Sequence, residues 1–374
     1  MSFDGVVIGG GFTGTLAALA SIRGGNHVLL LTGDERDGQH RHGTTPHLLP
    51  WGSLHDIDMW VPELGAQLAD AGARTVPLPE GLVTPGAPVN RWDASYLKVF
   101  GSSRHLFRTT LRANAETDHN YYGQLTVRAG TATGLLGSRH EINGVRVRSG
   151  DGTMEDVHAP LVVDCSGRAS AARDWLTALG LPPTRRTTRG AGLAYIQQEY
   201  EIPGTPPHIV WDHSTILAPV EDGKWILART TETPGDEDPA ALRRPVIDSI
   251  PHIAGAEPVS APTTMRLPPR HIHHYGEQPH WPRGFAVLGD AVATHHPLHG
   301  RAGDIAQATV ELFHQELCRG GIAHPTLAER TQAAANYLNA RAWGIPAKRP
   351  ARRNRPSIGE RAQEMRRRSG FAFR

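Results

Sequence analysis

Three glycines near the start of the chain, Gly9, Gly11 and Gly14, stand in the spacing G-x-G-x-x-G. Glycine at the first place permits a tight turn, and at the second lets backbone approach a pyrophosphate. At the third it lets a helix pack closely on a strand. The N–H groups that open the helix then face the anion. A dinucleotide is the ligand these residues suit. Such a site commonly receives the ribose hydroxyls at the end of its second strand, here Thr32, with Asp34 and Glu35 just beyond. Histidine is the other conspicuous resource, with 21 in the chain; His295, His296 and His299 flank Pro297, and His271, His273 and His274 form a second group. Neutral imidazoles suit acid–base work near neutral pH as well as metal ligation. A metal reading needs further ligands and a supporting outer shell, which these spacings do not supply, so no metal is expected.

The elements that must position these residues can be read around them. Gly5–Ile8 is a short β-branched run, the glycines follow, and Thr15–Ala20 is a strong helix former. Gly24 and Gly25 stop that helix, and Val28–Leu31 forms a second buried strand, completing a βαβ unit. Residues 102–116 read as a helix; 122–130, 142–148 and 159–164 read as strands between the turn signals Asn143-Gly144 and Asp151-Gly152. Residues 190–230, with Tyr195, Tyr200, Trp211 and Trp225, predict a separate antiparallel sheet whose aromatics are core or pocket wall. Phe285–Leu288 is a further core strand, and residues 303–319 a helix. Residues 35–100 are rich in Gly, Pro and His and show little periodicity.

With 374 residues, 39% apolar and 20% charged, the chain is long enough for two domains and excludes global disorder. Two cysteines, Cys165 and Cys318, are too few for a disulfide scaffold, and Cys165 reads as a small buried residue. No window is apolar enough to span a membrane and no signal peptide is visible, so a soluble cytoplasmic protein is expected. The net charge of +2 hides an asymmetry. Residues 341–374 hold eleven Lys/Arg against Glu360 and Glu364, leaving 28 basic and 35 acidic groups in the first 340 residues. That mildly acidic body carries no nucleic-acid footprint. The basic tail beyond about Ala340 reads as solvated and separable from the ligand site.

Two further segments combine with the glycines. One is Leu161-Val162-Val163-Asp164-Cys165-Ser166-Gly167-Arg168; the other is Gly284-Phe285-Ala286-Val287-Leu288-Gly289-Asp290-Ala291, continuing to Pro297 and Gly300. Together they resemble the FAD-dependent aromatic hydroxylase superfamily (p-hydroxybenzoate hydroxylase-like). A narrower likeness, to the polyether-epoxidase-like monooxygenase branch, runs through Arg41–Leu49, Ser103–Leu106, Gly192–Tyr195, Glu221–Trp225 and Trp281–Gly284, covering about residues 3–320. The resemblance implies an α/β fold: a Rossmann-like FAD-binding domain plus an antiparallel-sheet substrate domain. The first would comprise residues 1–45, 100–185 and 280–325. The second would comprise 46–99 and 186–279, leaving 326–374 as a C-terminal helix and basic tail.

It further implies FAD held by Gly9, Gly11, Gly14, Thr32, Asp34, Arg104, Asp164, Gly289, Asp290, Pro297 and Gly300. Asp290 would bind the ribityl chain, the Pro297–Gly300 loop would sit at the flavin pyrimidine ring, and Arg104 would contact flavin or pyrophosphate. The loop departs from the family in Arg301, Ala302 and Asp304, where small and neutral residues are usual. His296 and Arg301 are the expected catalytic groups, and Tyr195, Trp211, His295 and His299 the expected substrate contacts. No second G-x-G-x-x-G is present, which fits transient NAD(P)H binding or a separate flavin reductase. The implied function is a monooxygenase, hydroxylase or epoxidase, acting on an apolar small molecule such as a polyketide or terpenoid intermediate. A redox-neutral cyclase or isomerase and a non-catalytic binding protein remain open beside it. A flavin halogenase is disfavoured by the missing W-x-W-x-I-P segment.

Overall fold

The computed structural model describes residues 2–33, 45–50, 57, 61–78, 82–83, 97–117, 124–202, 209–211, 214–232, 256–298 and 301–347. The chain opens with β1 (Gly5–Ile8), α1 (Phe12–Arg23) and β2 (His27–Thr32). There follow β3 (Pro46–Pro50), α2 (Leu64–Asp70), β4 (Arg74–Leu78), β5 (Leu82–Val83), β6 (Leu97–Ser103) and α3 (Arg104–Thr117). Next come β7 (Gln124–Ala129), β8 (Thr131–Gly137), β9 (Ile142–Arg148), β10 (Met154–His158), β11 (Leu161–Asp164) and α4 (Ala172–Ala178). The chain continues through β12 (Arg186–Arg189), β13 (Leu193–Glu201), β14 (Ile209–Trp211), β15 (Thr215–Pro219) and β16 (Lys224–Thr231). The last elements are β17 (Glu257–Pro258), β18 (Thr263–Leu267), β19 (Arg270–His273), β20 (Phe285–Val287), α5 (Arg301–Gly320) and α6 (Leu327–Ala342).

The fold is mixed α/β. Its parallel sheet has the order β20-β11-β1-β2-β7. β1, β11 and β20 are buried along their whole length, as a sheet covered on both faces requires. Strand order reverses about β1, since β2 lies on one side and β11 on the other. The crevice beyond the carboxyl ends of β1 and β11 is therefore where such a sheet accepts a ligand. A second sheet, β17-β13-β16-β15-β14-β5, with β18 also on β13, is antiparallel except for β5, which pairs parallel with β14. Tyr195, Ile216, Ala218 and Ala228 form part of a core on that sheet.

Residues 35–100 hold more order than their composition suggests. β3 and β4 flank β6 in a three-stranded antiparallel sheet. Pro46, Pro50 and Pro77 all lie on its two outer strands, where a missing N–H breaks no inner ladder; these prolines erase the strand signal from the sequence. β8 escaped detection for another reason. Its register on β9 shifts between Ala132 and Gly134, and the bulge breaks the period-two pattern.

The C-terminal boundary also moves. Trp343 is 5% exposed and belongs to the main core with Ala340, while the Arg189 guanidinium lies 5.0 Å from its ring centre. The chain up to Ile345 packs on the body, so a separable tail cannot begin at Arg341. Among the described residues no helix is long and apolar enough to cross a membrane.

Candidate functional site

The glycine turn follows β1. Gly9 has φ of +103°, and a Cβ there would stand 2.5 Å from the Cys165 carbonyl oxygen. A Cβ on Gly14 would stand 1.7 Å from the Gly9 oxygen, so α1 can approach β1 only without one. Gly11 meets nothing within 4 Å; its α-carbon faces open space. No side chain caps α1, which leaves its first N–H groups for a ligand. Bare backbone, steric necessity on two sides and an opening on the third are what a pyrophosphate needs. Thr32 does not point into that opening. Its methyl lies where a Cβ on Gly10 would collide at 2.6 Å, and its hydroxyl reaches the Arg128 carbonyl at 3.5 Å.

Asp164 ends β11 and is fully buried. Its carboxylate accepts hydrogen bonds from Ser166 N (2.9 Å), Ser166 Oγ (2.6 Å) and Ser170 Oγ (2.5 Å). Burial pushes its pKa up, against those three donors. With its oxygens engaged inward, Asp164 shapes the turn and presents no carboxylate to a ligand; the cofactor contact expected of it gives way to this role. Cys165 beside it is buried, and burial together with Asp164 drives its thiol well above the usual range.

Asp290 is placed differently. It sits in the short 3-10 turn Gly289–Ala291 after β20, and Gly289, with φ of +64°, lies against Thr13 at the start of α1. The late Gly-Asp turn and the N-terminal glycine turn thus meet. The Asp290 carboxylate has no hydrogen-bond partner among the described residues. Burial raises its pKa, and the charges of Arg104, His295 and Arg168 act in the opposite direction.

Arg104 opens α3, where Ser103 Oγ accepts the Leu106 N–H at 3.0 Å as a cap. A cation at a helix N-terminus opposes the helix dipole, so an arginine here is costly unless an anion is near. Its guanidinium makes no hydrogen bond among the described residues, yet its charge acts on Asp290, Tyr195 and His47. Tyr195, on β13, is buried, which pushes its phenol up, and Arg104 pulls it back. Arg104 is the point where the parallel sheet's loops and the antiparallel sheet come together.

The stretch after Asp290 is held from both sides. Trp211 Nε1 donates to the Leu298 carbonyl at 3.0 Å, and the Leu298 side chain joins the Tyr195 core. Trp211, one of the expected substrate contacts, therefore ties this stretch to the sheet of β14 through its N–H. His295 Nε2 bonds Asn339 Oδ1 at 3.0 Å, and His296 Nδ1 accepts the Leu298 N–H at 3.3 Å. Pro297 is exposed. Asp34, His299 and Gly300 lie outside the described residues, and of Arg301 only its place as the first residue of α5 is described.

Sequence reasoning missed His47. Its ring stacks on Phe107 at 4.4 Å, beside Phe12 of the glycine turn, and burial with Arg104 lowers its pKa to about 3. It also missed Gln332 of α6, whose Oε1 accepts the Val287 N–H at 2.8 Å and so closes the free edge of β20. Neither carries a local signal, because both partners are distant in sequence. The second histidine group, His271 and His273, is buried on β19, with pKa values lowered by burial to about 4 and 3. Among the described residues no three His, Cys, Asp or Glu side chains gather as a metal ligand set.

No family model matches the chain. A stretch of 163 residues, 39% of this chain, is 28% identical to Protein Rv3254 of Mycobacterium tuberculosis and spans 34% of that protein's length. Solved structures match far more of it. The myxobacterial chondrochloren halogenase CndH superposes with a TM-score of 0.66 over 99% of this chain and 90% of its own, at 19% identity. The p-nitrophenol 4-monooxygenase PnpA of Pseudomonas putida gives 0.63 over 99% and 94%, at 13% identity. Aklavinone-11 hydroxylase, solved with FAD and aklavinone, gives 0.62 over 92% and 68%, at 16% identity. At these identities the likeness is one of architecture, and the chain has the fold shared by FAD-dependent halogenases and monooxygenases.

Proposed function

We propose that the chain binds FAD and is a flavin-dependent monooxygenase, a hydroxylase or epoxidase, acting on an apolar small molecule of the polyketide or terpenoid kind. The observation that carries this reading is the meeting of Gly289-Asp290 with the start of α1, which sets a carboxylate with no hydrogen-bond partner among the described residues beside an open glycine turn. The residues fit the group. Gly9, Gly11, Gly14 and the α1 N–H groups suit its pyrophosphate, the Asp290 carboxylate its ribityl hydroxyls, and the Arg104 guanidinium its phosphate or ring edge. Bound FAD supplies two-electron redox and oxygen chemistry. The chain's own part is to hold and screen. Tyr195 and the apolar residues packed around Leu298 give the substrate side a water-poor wall. The sequence W-x-W-x-I-P is absent, which favours oxygen transfer over halogenation despite the halogenases among the structural relatives.

Arg301 and His296 remain proposed contributors on the loop, with NAD(P)H as a transient reductant or a reductase as partner. Replacing Arg301 with Met is expected to lower turnover at least tenfold, about 1.4 kcal/mol, with FAD retained. The primary test is simpler. Purified protein, or protein incubated with FAD, should show the visible flavin band, and Gly14→Val should abolish it, because the new side chain drives α1 off the Gly9 carbonyl. Wild-type protein that neither carries nor takes up flavin would overturn the reading.

A further inference from the structure

Helix α6 presents three amides at i, i+4 and i+7, namely Gln332, Asn336 and Asn339, and this row is turned toward β20 and the stretch that follows it. Gln332 Oε1 takes the Val287 N–H while its Nε2 donates to Asn336 Oδ1 at 3.1 Å. Asn339, 1% exposed, donates from Nδ2 to the Ala335 carbonyl at 2.9 Å and meets His295 Nε2 with Oδ1 at 3.0 Å.

These contacts fix where protons sit. An amide oxygen turned to the Ala335 carbonyl would place two acceptors together, so the Asn339 nitrogen must face it. Its oxygen then faces His295, and an amide oxygen only accepts. His295 Nε2 must therefore carry the hydrogen, and in the neutral ring Nδ1 holds the lone pair. Nδ1 makes no hydrogen bond among the described residues. The charge of the His295 ring acts on the Asp290 carboxylate, which is likewise without a hydrogen-bond partner there. Its neighbour His296 is less free, since its Nδ1 accepts the Leu298 N–H.

We propose that His295 is the proton acceptor of this site and that Asn339 is its positioning residue, holding the ring as the Nε2–H tautomer and leaving Nδ1 to accept a proton. The location of the site rests on the FAD reading above; the tautomer does not. In the step, Nδ1 takes a proton from an O–H group of substrate or water. The resulting imidazolium keeps its Nε2–H on the Asn339 oxygen, and the proton later returns to product or solvent. The charges that bear on Asp290 are Arg104 from the start of α3, His295 and Arg168 from the turn after β11; α6 contributes the neutral Asn339 amide to His295.

Ring-nitrogen NMR of ¹⁵N-histidine-labelled protein tests this with no substrate needed, His295 being assigned with His295→Gln. The wild type should show His295 as the Nε2–H tautomer. Asn339→Leu, which removes the acceptor from Nε2, should lose that preference. Adding FAD should move the His295 ring signals. An Nδ1–H tautomer in wild type would overturn the proposal. If FAD binds, judged by the flavin band, and His295 does not respond, the proton role fails while the FAD reading stands. If no FAD binds, that reading falls, and the tautomer result alone decides whether Asn339 positions the ring.

Discussion

Single residues divide here into those spent on the fold and those left over. Asp164 ends β11 and Asp290 lies in the turn after the neighbouring parallel strand β20, yet one satisfies its own turn through Ser166 and Ser170 while the other has no such partner among the described residues. Asp290→Asn separates binding from stability. Burial raises the Asp290 pKa, so at neutral pH the ionised carboxylate opposes folding. The variant should unfold at a higher temperature than wild type without FAD, yet lose the flavin band; a lower melting temperature would show that the carboxylate has a stabilising partner. His47 gives a pH signature. Folded, it takes a proton only near pH 3, against an ordinary value of 6.5, because burial and Arg104 disfavour the cation. The unfolded chain therefore gains that proton first as pH drops from about 6.5 towards 3, and stability falls across this window. His271 and His273, with values of about 4 and 3, act in the same sense. His47→Phe can keep the stack on Phe107, and urea unfolding at pH 7 and 5 should show a smaller stability difference than in wild type.

Among the elements, α6 is the one whose role changed most between sequence and structure. Its composition reads as an ordinary terminal helix, but it seals the edge of β20 through Gln332, holds His295 through Asn339 and ends in the buried Trp343. Removing that indole should cost about 3–5 kcal/mol. Trp343→Ala should therefore lower the denaturant midpoint sharply, and a chain cut before Arg341 should lose soluble protein. One cut after Ala347 keeps every contact described for α6 and should keep both fold and flavin. If Trp343→Ala melted like wild type, the last turn of α6 would be an appendage.

At the scale of the whole molecule, the two sheets must be held in register for a ligand between them to meet both. Trp211 supplies one such tie, through its N–H to the Leu298 carbonyl. Trp211→Phe retains the ring's bulk and removes that bond, at a cost of about 0.5–1.5 kcal/mol. Hydrogen exchange should quicken over residues 293–298 while β1, β2 and β11 keep their protection. Uniform loosening would mean the indole supports the core generally and not this tie.

The sequence by itself determined the parts whose signals are local. A β-branched strand, three glycines and a helix former define β1–α1 between Gly5 and Arg23, and the apolar runs of β2, β11 and β20 needed only their own composition. The glycine spacing is legible because its cause is steric and acts between near neighbours such as Gly9 and Gly14. Only the tertiary structure decided which polar groups remain available. Hydrogen bonds link Asp164 to serines two and six residues away, but His295 to an amide 44 residues on and Trp211 to a carbonyl 87 residues on. A side chain's chemistry depends on what occupies its lone pairs and N–H groups, and in a folded chain those partners are chosen by packing across elements, which no window of sequence contains.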